Sequence, residues 1–191
     1  MLKLNVNNET SKLLAVVLGT AKSNGPAPKL EDCYDPKSRE NVLANTYPTE
    51  IDMVDELNQL KEVLIKHNVN VYRPDVINDY NQIFSRDIGF VIDDFFIVAN
   101  ILPDRSNEIF AIQKVLDLIP KNKIIELPDE CHIEGGDVIL NNDYIFIGTY
   151  DGIDYSNFKT ARTNYKAIKF LKEKFPAKKI ISFDLIKSDL E

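Results

Sequence analysis

Apolar residues in this chain come in short bursts separated by polar turns, and the bursts mark out its elements. Residues 11–18 (SKLLAVVL) read as a buried strand closed by Gly19. From 19 to 48 the pattern dissolves into a long irregular loop punctuated by Gly25, Pro26, Pro28, Pro36 and Pro48. Thr49, with Asp52 three residues on, signals a helix start. Ile51, Val54, Leu57, Leu60 and Leu64 supply that helix's apolar stripe, and Asn68 its stop. Residues 69–72 form the next strand, ended by Pro74.

Beyond this point the pattern repeats. Residues 88–92 and 95–99 are apolar runs hinged at Asp93-Asp94, the signature of a hairpin. A helix with Ile109, Ile112, Val115, Leu116 and Ile119 on one side follows, closed by Pro120, and then a strand at 123–127. The second copy has runs at 137–140 and 144–148 around Asn141-Asn142-Asp143. Its helix runs from about Ala161, carries Tyr165, Ile168, Leu171 and Phe175, and ends at Pro176; the closing strand is 179–185. Strand, strand, helix, strand thus recurs about every fifty residues, with a fainter copy in front. The expected fold is α/β, a propeller or array with repeat units at roughly 11–75, 84–128 and 132–186. About three units are few for a closed ring, so bare sheet edges and some self-association are expected.

Composition narrows the function classes. The 191 residues are 44% hydrophobic, enough for one domain or part of a larger one. A net charge of −7 without a Lys/Arg block argues against a nucleic-acid partner. No apolar run is long enough to cross a bilayer, and the polar first residues do not read as a secretory leader, so a cytoplasmic protein is expected. Two cysteines, Cys33 and Cys131, make no disulfide framework and suit a reducing compartment.

The chemistry concentrates in two stretches, Phe84-Ser85-Arg86-Asp87 and His132-Ile133-Glu134-Gly135-Gly136-Asp137. Each immediately precedes the hairpin of its repeat, so Asp87 and Glu134 hold near-equivalent positions that would converge in a ring of units. Two converging carboxylates suit a planar guanidinium, whose N–H forks match carboxylate oxygens. Gly135-Gly136 would allow a sharp turn or a close approach. Cys131, His132 and Glu134 lack a fourth ligand at metal-binding spacing.

The ordered motifs Phe-Ser-Arg-Asp, Glu-Gly-Gly-Asp-Val and Arg162-Thr163-Asn164 resemble those of the amidinotransferase, arginine deiminase and dimethylarginine dimethylaminohydrolase superfamily, from about residue 50 to 188. The resemblance implies the pentein fold, a five-bladed α/β propeller of which this chain would hold about three blades. It implies that Asp87 and Glu134 grip the substrate's guanidinium, and that Arg105 and Arg162 bind its α-carboxylate. Asp137 is then expected to orient the Gly-Gly turn, and Arg86 to pair with a neighbouring acid. The family's mechanism is covalent: a cysteine attacks the guanidino carbon, a histidine moves protons, and water or an amine accepts the product. It implies no metal or organic cofactor, and a small cationic partner such as arginine.

The family's histidine motif and late cysteine have no counterpart here. His67 reads as a surface or capping group, and adjacent Cys131 and His132 point to opposite faces of an extended chain. Cys131 is expected to be a buried structural thiol, and Cys33 a surface one. Leu190-Glu191 resembles a remnant preceding an affinity tag. The expectation is the front portion of an amidinotransferase-like enzyme, inactive by itself. The strand at 180–184 followed by Lys187-Ser188 leans to the transferase branch over the hydrolases. The alternative is a non-catalytic pentein-fold binding or assembly module.

Overall fold

Thr49 begins the first long helix by reciprocal capping. Its Oγ1 accepts from the Asp52 N–H, while Asp52 Oδ2 accepts from the Thr49 N–H at 3.1 Å. The structure, a computed structural model, describes residues 1–33, 36–101, 103–150 and 163–185. The chain divides into two compact units: among the described residues, 13–85 form one, and 1–12 with those from 86 to 185 form the other.

In the first unit, β1 (Ala15–Val17) lies parallel to β2 (Asn70–Tyr72), with Val16 opposite Val71. Helix α1 (Pro36–Leu43) stands where the sequence reading expects only loop. Its residues, PKSRENVL, offer no apolar stripe for periodicity to detect, although Pro36 at the first position suits a helix start. Helix α2 (Glu50–Lys66) ends with His67 as its C-cap and Asn68 in the left-handed region at φ 61°, as the stop signal suggests. Within α2 only Met53 is buried, whereas Ile51 and Leu60 are exposed. Among the described residues this unit has no antiparallel hairpin, so it does not reproduce the repeat in full.

The second unit contains two full repeats. Strands β3 (Gly89–Ile92) and β4 (Phe95–Val98) pair antiparallel through a turn with Asp93 at φ 53°, and β5 (Ile124–Glu126) joins β4 in parallel. Strands β6 (Val138–Asn141) and β7 (Tyr144–Thr149) pair through a turn with Asn142 at φ 54°, and β8 (Lys179–Asp184) joins β7 in parallel. The positive φ values explain Asp and Asn at these turns. The described strands make separate sheets of two, three and three strands rather than a closed barrel.

The connecting helices differ from expectation. In the first repeat a 3-10 stretch, Pro103–Ile112, precedes a single α turn, α3 (Gln113–Leu116). In the second, α4 (Tyr165–Lys174) starts later than residue 161. Asn164 is its N-cap, accepting from the Ala167 N–H at 3.0 Å. Buried Ala167, Ile168 and Leu171 of α4 share one core with Val138, Leu140, Ile145 and Ile147 of their own sheet and with Phe90, Ile92 and Ile97 of the preceding sheet. Phe175 meets Phe95 edge-on at 6.0 Å, tying the helix end to the preceding repeat.

The first residues, which carry no periodic pattern, strap the two hairpins together. Val6 and Asp93 exchange backbone bonds of 2.8 and 2.7 Å, and the Asn142 N–H donates to Asn7 O at 2.6 Å. Lys178 Nζ adds a second tie, donating to Asp93 Oδ1 and Asn142 O at 2.6 and 2.8 Å.

Candidate guanidinium-binding site

Asp87 lies in the turn before β3, and Glu134 just before the 3-10 turn Gly135–Asp137 that leads into β6. Aligned on their strands, Asp87 is the counterpart of Gly136, and Glu134 comes two residues earlier in its repeat. The two loops are joined directly: the Gly135 N–H donates to Asp87 O at 3.3 Å. Arg86 reinforces the joint, giving Nε to Gly135 O at 3.0 Å and Nη2 to Val138 O at 2.9 Å. Its Nη2 also meets Glu9 Oε1 at 3.0 Å, so Arg86 does pair with an acid, one far away in sequence.

Both glycines lie at close approaches rather than at unusual backbone angles, but only Gly135 faces backbone. A Cβ on Gly135 would lie 2.1 Å from Arg86 O, and one on Gly136 would lie 2.5 Å from Asp87 Oδ1. What comes close is the chain's own Arg86-Asp87 segment. Asp137 is tied elsewhere, accepting from Thr163 Oγ1 at 2.7 Å. Asn164 holds the other side of the Glu134 loop: its Oδ1 accepts from the His132 N–H, its Nδ2 donates to Glu130 O, and its N–H donates to His132 O.

Arg105, in the 3-10 stretch, is drawn into the site. Its Nη1 donates to Asp87 Oδ2 at 2.7 Å. Its Nε and Nη2 donate to the two oxygens of Glu108 at 2.6 and 3.0 Å. Burial opposes the charge on Arg105, but the bonds and charges of Glu108 and Asp87 outweigh it and hold the guanidinium pKa above its ordinary value. Glu108, only 1% exposed, is pushed up by burial; Arg105 pulls it down, while the negative charges of Asp87 and Glu134 push it further up. Glu134 is itself buried, at 2% exposure. Asp87 and Glu108 therefore hold the Arg105 guanidinium directly, and Glu134 lies near enough for its charge to act on Glu108.

Three of these residues, Asp87, Glu134 and Arg105, are among the sequence candidates; Arg162, the fourth, lies outside the described residues. Glu108 is the residue that the sequence reading passes over. Its signal is the Arg105–Glu108 spacing of three, which on a helical turn brings the two side chains to one side. Cys131 sits in the shared core, and burial pushes its thiol pKa up, which suits an inert packing group. Cys33 is buried rather than exposed, its Sγ donating to Lys29 O at 3.3 Å. Among the described residues no group of His, Cys, Asp and Glu is placed to hold a metal ion, and no helix is long and apolar enough to cross a membrane.

No family model matches the sequence. An uncharacterised Bacillus subtilis protein, YkgA, is 31% identical over 135 residues, covering 69% of this chain and 42% of that protein. SxtG, an amidinotransferase of saxitoxin biosynthesis from Microseira wollei, superposes with a TM-score of 0.70 at 19% identity, over 94% of this chain and 62% of its own. A Pseudomonas aeruginosa dimethylarginine dimethylaminohydrolase in complex with citrulline gives 0.62 at 14% identity, over 92% of this chain and 62% of its own. The chain thus spans less than two thirds of these relatives. At such identities the agreement is one of fold, and this chain has the α/β fold of the amidinotransferase and dimethylarginine dimethylaminohydrolase superfamily, the pentein group that its motifs resemble.

Proposed function

We propose that this chain is the guanidinium-gripping portion of a cytoplasmic enzyme acting on the guanidino or ureido carbon of arginine or a related compound. The reaction is cysteine-dependent amidino transfer or C–N hydrolysis. The observation carrying this reading is the Arg105 guanidinium held between Asp87 and Glu108, with the charge of Glu134 acting on Glu108. Carboxylates at this place already bind, within the chain, the planar cation that a substrate would present.

On this proposal Asp87 and Glu134 take the substrate guanidinium, while Glu108 keeps Arg105 in position. Arg105 and Arg162 would serve a substrate α-carboxylate, and Arg105 would reach one by giving up its bond to Asp87. An amidinotransferase and a citrulline complex among the similar structures support both the transfer and the hydrolysis variants. Neither thiol of the chain suits the nucleophile: Cys131 is a buried, high-pKa group, and Cys33 is buried in its own unit. The attacking cysteine and the proton-moving histidine are therefore assigned to the part of the fold that these residues do not span, and the 191-residue chain is inactive alone.

Calorimetric titration with L-arginine, agmatine and L-norleucine tests the proposal. Arginine and agmatine should bind and norleucine should not, with affinity falling about tenfold or more in Glu134→Gln, as expected for a lost charge-assisted contact. Equal behaviour of arginine and norleucine would remove the guanidinium reading. Production of citrulline or ornithine by the chain alone would overturn the assignment of the nucleophile elsewhere.

A further inference from the structure

Asn24-Gly25 is the one Asn-Gly pair in the chain; every other Asn is followed by a residue with a side chain. The turn demands the glycine, since Ser23 and Gly25 both lie in the left-handed region, at φ 60° and 81°. The same choice makes the pair chemically weak. A backbone nitrogen without a side chain beside it is sterically free to attack the Asn24 carboxamide, and a Cβ on Gly25 would meet nothing within 4 Å. In that reaction a bond forms between Gly25 N and Asn24 Cγ, and the Cγ–Nδ2 bond breaks. The side-chain nitrogen leaves as ammonia, carrying the proton that Gly25 gives up. Water then opens the succinimide ring to aspartate or isoaspartate.

Glu50, the first residue of α2, stands across this reaction. Thr49 and Asp52 cap the helix between themselves, which leaves the Glu50 carboxylate to the turn. Its Oε1 accepts from the Ser23 N–H at 3.1 Å and its Oε2 from the Gly25 N–H at 3.2 Å, so one carboxylate spans Asn24. The flanking backbone is fixed as well. Ser23 Oγ accepts from the Asp79 N–H at 3.1 Å, Ser23 O from the Tyr80 N–H at 2.9 Å, and the Asn24 N–H donates to Ala21 O at 3.2 Å. Taking the proton from Gly25 would set a second negative charge beside the carboxylate. Asn24 Oδ1 is buried without a hydrogen-bond partner among the described residues, so the oxyanion created by attack would meet no donor. All of these residues belong to the first unit.

We propose that Asn24 is a modification site, deamidated through a succinimide, and that Glu50 is the residue that holds the reaction back in the folded chain. Loosening of residues 20–25 from α2 starts the reaction, and the reaction makes the loosening permanent. Either product carries a carboxylate at position 24, between the two amides that Glu50 bridges, and isoaspartate also adds a methylene to the main chain. This inference does not depend on the function proposed above.

The reference is the free peptide of residues 23–29, which trypsin also releases from the chain by cutting after Lys22 and Lys29. Chain and peptide are incubated at mildly alkaline pH, and aspartate and isoaspartate at position 24 are measured by chromatography and mass spectrometry. The folded chain should react more slowly than the peptide by about tenfold or more, the effect of a hydrogen bond to a charged group. Glu50→Gln, whose amide nitrogen cannot accept, should bring the rate close to that of the peptide while the circular dichroism spectrum stays that of the wild type. Glu50→Asp keeps the charge at the helix start but falls a methylene short, and serves as the second variant should Glu50→Gln fail to fold. Modified wild-type chain, separated by its added negative charge, should exchange its Ser23 and Tyr80 amide hydrogens faster than the unmodified chain. Equal rates in the folded chain and the peptide overturn the proposal, as does a folded Glu50 variant that reacts as slowly as the wild type. So does unchanged exchange in the modified chain.

Discussion

Arg105 lays its Nε and Nη2 against the two carboxylate oxygens of Glu108 while its Nη1 reaches Asp87, so one guanidinium joins two acids. The side chain of Glu108 is 1% exposed and that of Arg105 13%, so neither charge can fall back on solvent. Removing Glu108 takes two charge-assisted bonds from a largely buried guanidinium. Glu108→Ala should cost about 3 kcal/mol or more of unfolding free energy, read by urea denaturation. A loss within about 0.5 kcal/mol, the scale of an exposed ion pair, would show the pair to be dispensable.

The adjacent glycines should separate fold from binding. Gly135→Ala puts a methyl group against a backbone carbonyl, Arg86 O, which cannot rotate away, so destabilisation of about 1–3 kcal/mol is expected. Gly136→Ala meets only the end of the Asp87 side chain. It should leave the melting temperature nearly unchanged while weakening arginine binding, because Asp87 must turn aside. Comparable melting losses in both variants would contradict the distinction.

Glu9 should make the strap acid-sensitive. Burial raises its pKa, but hydrogen bonds from Arg86 and the Leu140 N–H, with the Arg86 charge, bring it below the usual 4.5. A depressed carboxylate contributes stability above its unfolded value, and that contribution is lost as pH falls through the lower folded value. The group is partly exposed and screened, so Glu9→Gln should cost only ~0.5 kcal/mol at pH 7. The difference between wild type and variant should disappear towards pH 3 in a series of denaturation curves. A gap that widens on acidification would reverse the sign and refute this role.

Leu171 is fully buried in the core shared by two sheets. Leu171→Ala should cost about 3 kcal/mol through lost burial and the cavity left behind. Hydrogen exchange should quicken in both β3–β5 and β6–β8. Quickening limited to β6–β8 would show that the repeats do not share their core.

The parts of the molecule legible in the sequence are those where side-chain chemistry acts locally. Thr49 with Asp52 announces the capping box, Asn68 the helix stop, and Asp93 and Asn142 the hairpin turns, since each satisfies a nearby backbone requirement. Helix α1 escaped because its residues offer no apolar stripe, and α4 starts later than expected because Asn164 caps it just ahead of the first stripe residue, Tyr165. At the site, Asp87 and Glu134 were visible as acids ahead of hairpins. Glu108 was not, because its role comes from burial and from Arg105, and composition carries neither. The wedge of Arg86-Asp87 against Gly135-Gly136 is a contact across about fifty residues that no local pattern encodes.

The strap formed by the first residues also sets an order of events in folding. Glu9 accepts from the Leu140 N–H across a separation of 131 positions, and Asn7 waits for Asn142. Val6 can pair with Asp93 once the first hairpin exists, but Asn7 and Glu9 have no partners until the second does, and residues 13–85 have time to fold first as their own unit. Closing so long a loop is slow compared with forming the hairpins themselves. Full docking of residues 6–9 is accordingly a late step in completing the unit they belong to.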